Sequence, residues 1–220
     1  MRQKARLFLQ LVAVVVLLLG GTCAEGGSIV LTDDTLSNLL GGNITKVAGP
    51  LTVDMSAANM ASDVCSSAYA GDNGLYAYLY QVINKGTVGN SSIDTFTVFP
   101  VWGAGDGSRF GTLTNLVGTD GEFRIGGLSP LAEGFIEDPG TGPVVSYYYS
   151  KDQGADIPAG QHSKVLYLIS DQGPATITGN VIDGATGTGP VYGPVPEPGT
   201  ALSLLLGLAG LAWFRGYRIR

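Results

Sequence analysis

Glycine and proline interrupt this chain so often that its central part leaves no room for long helices. Thirty-four glycines and eleven prolines stand among 220 residues. In a helix interior each glycine costs about 1 kcal/mol and each proline about 3 kcal/mol relative to alanine. Between these breaks lie short runs rich in β-branched and aromatic residues, the pattern of strands joined by turns. The clearest run is Leu75-Tyr76-Ala77-Tyr78-Leu79-Tyr80-Gln81-Val82-Ile83. Side chains alternate across a strand, so Tyr76, Tyr78 and Tyr80 share one face and Leu75, Ala77, Leu79 and Ile83 the other. Both faces are apolar, so the strand is expected at the centre of a layered structure with cover on both sides.

A polar stretch, residues 84–92, separates this run from a second one at 93–99. The pair reads as a hairpin with an enlarged loop. Further strands are expected at 28–32, 46–55, 63–69, 110–117, 144–150, 164–170 and 175–182, and one or two helical turns within 34–40. Many short strands with Gly-rich turns predict an all-β domain over residues 25–183: an antiparallel β-sandwich, immunoglobulin-like or jelly-roll-like. Residues 184–194 read Gly-Ala-Thr-Gly-Thr-Gly-Pro-Val-Tyr-Gly-Pro, the composition of a flexible Gly/Pro linker.

The two ends differ in kind from the body. Arg2, Lys4 and Arg6 precede an apolar stretch at 7–19, and Gly20-Gly21-Thr22-Cys23-Ala24 supplies small residues after it. This is the layout of a secretory signal peptide at 1–24, with cleavage expected after Ala24 by signal peptidase following export through the Sec machinery. Lipidation at Cys23 and an uncleaved anchor are the alternatives. The last segment, 195–220, opens with Val195, Pro196, Glu197 and Pro198. Its prolines keep the motif extended. An uncharged apolar run at 201–214 follows, expected as a transmembrane helix over 200–214, and then the basic residues Arg215, Arg218 and Arg220. Arginines on that side hold the end of such a helix in the cytoplasm. The run is shorter than the ~20 residues a full span needs, which fits a temporary hold in the inner membrane better than a permanent anchor.

The ordered string of Val-Pro-Glu-Pro, apolar helix and terminal arginines resembles the PEP-CTERM sorting signal of Gram-negative bacteria. The resemblance covers about the last tenth of the chain. It implies recognition by exosortase, an integral-membrane cysteine transpeptidase, and delivery to the cell surface or the exopolysaccharide matrix. A looser likeness joins Tyr76–Asn84, residues 93–98 and residues 157–163 to the β-sandwich bodies often seen ahead of such a tail. It implies a fold and no chemistry.

Composition limits the remaining functions. All eighteen acidic residues but only six of the twelve basic ones lie within 25–198, so that stretch carries −12. Such a surface repels nucleic acid and anionic lipid. Once the first 24 residues are removed, Cys65 is the one cysteine left, and it reads as a small buried hydrophobe. His162 is the one histidine. Zinc needs several such ligands, so neither a metal nor another cofactor is expected. Asp72-Asn73-Gly74 and Asp171-Gln172-Gly173 read as turns, with calcium as the milder alternative. Asp33, Asp34, Glu133, Glu137 and Asp138 are the carboxylates from which a glycoside hydrolase pair would be drawn. The face carrying Tyr76, Tyr78 and Tyr80 offers a glycan-stacking platform as the alternative to a packed core. The main expectation is a non-enzymatic structural or adhesive protein. A carbohydrate-binding module is the first rival and a hydrolase the second.

Overall fold

The computed structural model describes residues 33–86, 92–101, 109–117, 119–138, 142–150 and 156–196. The expected signal peptide, the strand at 28–32, the terminal helix, its arginines, Glu197 and Pro198 lie outside them. Among the described residues, no helix is long and apolar enough to cross a membrane.

The described residues form two sheets with almost no helix. The order along it is β1 (Asp33–Thr35), α1 (Leu36–Leu40), β2 (Ile44–Asp54), β3 (Ser62–Gly71), β4 (Tyr76–Asn84), β5 (Thr95–Phe99), β6 (Phe110–Asn115), β7 (Ala132–Asp138), β8 (Gly142–Tyr148), β9 (Leu166–Ser170), β10 (Pro174–Asp183) and β11 (Ala185–Pro194). One sheet has six strands in the order β1-β6-β9-β4-β3-β2, the other five in the order β11-β10-β5-β8-β7. Every pairing is antiparallel except that of β1 with β6. The expected all-β class and mostly antiparallel pairing therefore hold.

β4 sits between β3 and β9, as its two apolar faces require. One face, with Tyr78, Tyr80 and Val82, enters the core between the sheets and meets Phe96, Val98, Val145 and Tyr147 of the facing sheet. Ala77 and Leu79 point the other way, into a second cluster with Tyr69, Leu113, Phe123 and Tyr167. That outer cluster is roofed by α1, which buries Leu36, Leu39 and Leu40. The Thr35 hydroxyl caps the helix by accepting from the Asn38 N–H at 3.3 Å, and Gly41 ends it at φ 61°.

Two expectations about connections are corrected. β4 and β5 do not form a hairpin: β4 already has β3 and β9 on its edges, and β5 pairs with β10 and β8 in the other sheet. Residues 184–194 are not a linker. They turn at Gly184 (φ 61°) into β11, which pairs along its whole length with β10. Pro190 and Pro194 are tolerated because β11 is an edge strand, where a missing N–H breaks no ladder. The glycines let β11 lie close against the opposite sheet. A Cβ at Gly187 would overlap the Met55 carbonyl oxygen, and one at Gly189 would come within 2.6 Å of the Val53 side chain. The domain thus runs on through Pro194, and a strand the sequence did not announce, β7, forms the far edge of the same sheet.

Candidate functional site

The tyrosine row is core. Tyr78 and Tyr80 are fully buried and Tyr76 is half-buried. The two buried phenols of the row each find a main-chain acceptor: Tyr78 donates to the Gln172 carbonyl at 2.5 Å and Tyr80 to the Tyr192 carbonyl at 2.7 Å. Tyr147 donates to the Tyr167 carbonyl at 2.6 Å, which ties the two sheets together. The Tyr80 and Phe96 rings sit 5.5 Å apart, tilted. An exposed glycan-stacking platform on Tyr76, Tyr78 and Tyr80 is therefore ruled out: two of its three rings have no face to offer a sugar.

The carboxylates of the hydrolase reading fall on two strands: Asp33 and Asp34 lie on β1 of the six-stranded sheet, while Glu133, Glu137 and Asp138 lie on β7 of the five-stranded one. Glu133 is 2% exposed, paired across the ladder with Tyr147, and neither of its oxygens has a hydrogen-bond partner. Burial alone pushes its carboxyl up to about 7. A second carboxylate close by would add its own repulsion, and among the described residues none contributes. Among the described residues no three His, Cys, Asp or Glu side chains stand close enough to share a metal ion.

The other sequence-predicted positions have local roles. Asp72 accepts from the Asn43 main-chain and side-chain N–H groups at 3.0 and 3.1 Å, and Asn73 from the Leu75 N–H at 3.0 Å. The Asn73 bond is turn chemistry, whereas Asp72 ties the turn to the residue just before β2. Cys65 is buried, and burial raises its thiol above the ordinary value. His162 borders a short bridge to Ile83, its Nδ1 3.0 Å from the Ser163 carbonyl. Of the sorting motif, Val195 is half-buried against the inter-sheet core and donates its N–H to the Gly173 carbonyl at 3.2 Å, while Pro196 is exposed.

The feature that sequence reasoning missed lies on the outer face of the six-stranded sheet. The segment between β6 and β7 folds back over that face and leaves a groove of roughly 520 Å³, floored by Leu113, Phe123 and Val165. Its rim carries Val117 and Ile125, 75% and 89% exposed, together with Arg124 and Lys164. Two buried anchors hold this segment. Gln81 of β4 clamps the main chain of Arg124, its Nε2 donating to the Arg124 carbonyl and its Oε1 accepting from the Arg124 N–H, both at 2.9 Å. Glu122 accepts from the Tyr69 phenol at 2.6 Å and pairs with Lys46, which also reaches Asp120 at 2.9 Å. A groove of this size with mostly apolar walls and a few polar groups is the ordinary form of a small-molecule site. The sequence carried one trace of it: a polar Gln81 inside an otherwise apolar strand, which must find partners once buried.

No family model, curated protein or solved structure matches this chain.

Proposed function

We propose that this is an exported protein of a Gram-negative bacterium, processed by exosortase and delivered to the cell surface or extracellular matrix, where it has a structural or adhesive role. The observation that carries the reading is the order of elements at the end of the sequence: Val195, Pro196, Glu197, Pro198, an apolar run, then Arg215, Arg218 and Arg220. The basic and apolar start of the chain supports it, because a signal peptide and a stop-transfer helix together place the body outside the inner membrane. The body is in keeping with such a setting: a strongly acidic two-sheet domain of the immunoglobulin-like or jelly-roll-like kind, with phenols bonded into its core. Association with exopolysaccharide is part of this proposal, by a surface other than the tyrosine row.

The test is the fate of the C-terminus. In a host with the processing enzyme, the native protein should lose Arg220 and leave the inner membrane. The triple change Pro196→Ala, Glu197→Ala, Pro198→Ala should leave it there at full length. Wild-type protein that keeps Arg220 and stays in the membrane would make this a plain anchored protein.

A further inference from the structure

We infer that the groove on the outer face of the six-stranded sheet binds a small anionic amphiphile, an aliphatic chain carrying one negatively charged head group. Four observations meet at this place. Among the described residues, Val117 and Ile125 are by far the most exposed large hydrophobic side chains, at 75% and 89%. Both stand on the rim of the same groove. Single exposed hydrophobics are ordinary on a surface, but two beside an apolar cavity mark a binding site.

The second observation is charge. Arg124 and Lys164 line the same groove, although the stretch around them, residues 25–198, holds eighteen acidic residues against six basic ones. The acids of the same segment do not oppose Arg124, because Asp120 and Glu122 are turned to Lys46. An anion repelled by the rest of the surface would find a local attraction here.

The third is size. Roughly 520 Å³ matches a small ligand. A stable protein partner would instead call for about 800 Å² of buried surface on each side. The fourth is rigidity. Gln81 grips both main-chain groups of Arg124, so the rim residue is positioned before any ligand arrives, which lowers the ordering cost of binding. The aliphatic chain lies on Leu113, Phe123 and Val165, and the head group meets Arg124.

The experiment uses the full chain in zwitterionic lipid nanodiscs, photolabelled with a diazirine-bearing dodecanoate and, in parallel, with the matching neutral dodecanol. Labelled peptides are located by mass spectrometry. Dodecanoate should label the segment 113–125 in addition to any apolar terminal segment, and dodecanol should label 113–125 roughly fivefold less, the scale of one exposed ion pair. Ile125→Asp and Arg124→Glu alter exposed side chains and leave the main-chain clamp in place. Each should remove most dodecanoate labelling from that segment. Labelling confined to the termini would overturn the inference, as would equal labelling by the alcohol or labelling unchanged in Ile125→Asp.

Discussion

β4 and β11 are both fully integrated strands, yet they are held in opposite ways. β4 is packed by what its side chains fill: Tyr78, Tyr80 and Val82 on one face, Ala77 and Leu79 on the other. β11 is packed by what its residues leave out. Glycines at 187 and 189 let its backbone rest against Met55 and Val53, and only Val191 among its side chains is a buried member of the core. A strand's contribution therefore depends on fit to its neighbours and not on its own hydrophobicity. Near β4 the sheets are spaced by aromatic rings. At β11 they close, and a single Cβ is already too much.

The largest effect should come from removing volume on β4. Tyr80→Ala deletes a fully buried ring that packs on Phe96 and also strands the Tyr192 carbonyl. Large-to-small changes of this kind cost about 3–5 kcal/mol, and thermal melts should show a drop of roughly 10 °C or more. A much smaller loss would mean that β4 is not the central support inferred here. Adding volume on β11 is the mirror test. Gly187→Ala should destabilise by roughly 1–3 kcal/mol through overpacking against Met55. Thr188→Ala, one residue along on the exposed face, should stay within about 0.5 kcal/mol in urea unfolding. If both changes were silent, β11 would be a loosely attached segment after all.

The opposite edge of that sheet supplies the third comparison. On β7 a carboxyl occupies an interior position and has no partner. Its described titratable neighbours are the phenols of Tyr147 and Tyr149, both held above their ordinary value chiefly by burial. The unfolded chain releases the Glu133 proton near 4.5, whereas the folded chain keeps it to about 7. The folded state thus binds more protons between those values, and stability falls as pH rises through that window. Below it the contribution is fully present, and above about 7 it is gone. Glu133→Gln should flatten the slope and raise stability above pH 7 by on the order of 2 kcal/mol, read as midpoints of urea unfolding across pH. A wild-type profile that is flat from 4.5 to 7 would show that Glu133 has found solvent or a partner.

The groove was nearly invisible in sequence because its parts are scattered. Gln81 lies on β4, Leu113 on β6, Lys164 and Val165 just before β9, and the rim between β6 and β7. No periodicity connects such positions. Only the polar residue inside an apolar strand hinted that something must fold over that face. Glu133 was visible as one of many acids, but nothing in the local pattern distinguished a buried carboxyl from a solvated one. The strand that carries it, with Gly134 in the middle and acids at either side, does not alternate like a half-buried strand.

Local composition alone determined the class of fold. Dense glycine and proline, β-branched runs and a strand apolar on both faces leave an antiparallel layered domain as the arrangement that hides those faces. The export and sorting reading also rests on sequence alone, since its elements are linear and need no tertiary partner to be recognised. Tertiary structure decided everything that depends on which strand meets which. It separated β4 from β5 because both edges of β4 were taken. It turned an apparent Gly/Pro linker into β11, because glycine that weakens an isolated segment is what a close approach between sheets requires. The partners of the tyrosine phenols were decided there too: Tyr80 bonds to the Tyr192 carbonyl of the facing sheet and Tyr78 to the Gln172 carbonyl of the β9–β10 turn, acceptors that no local pattern in the chain reveals.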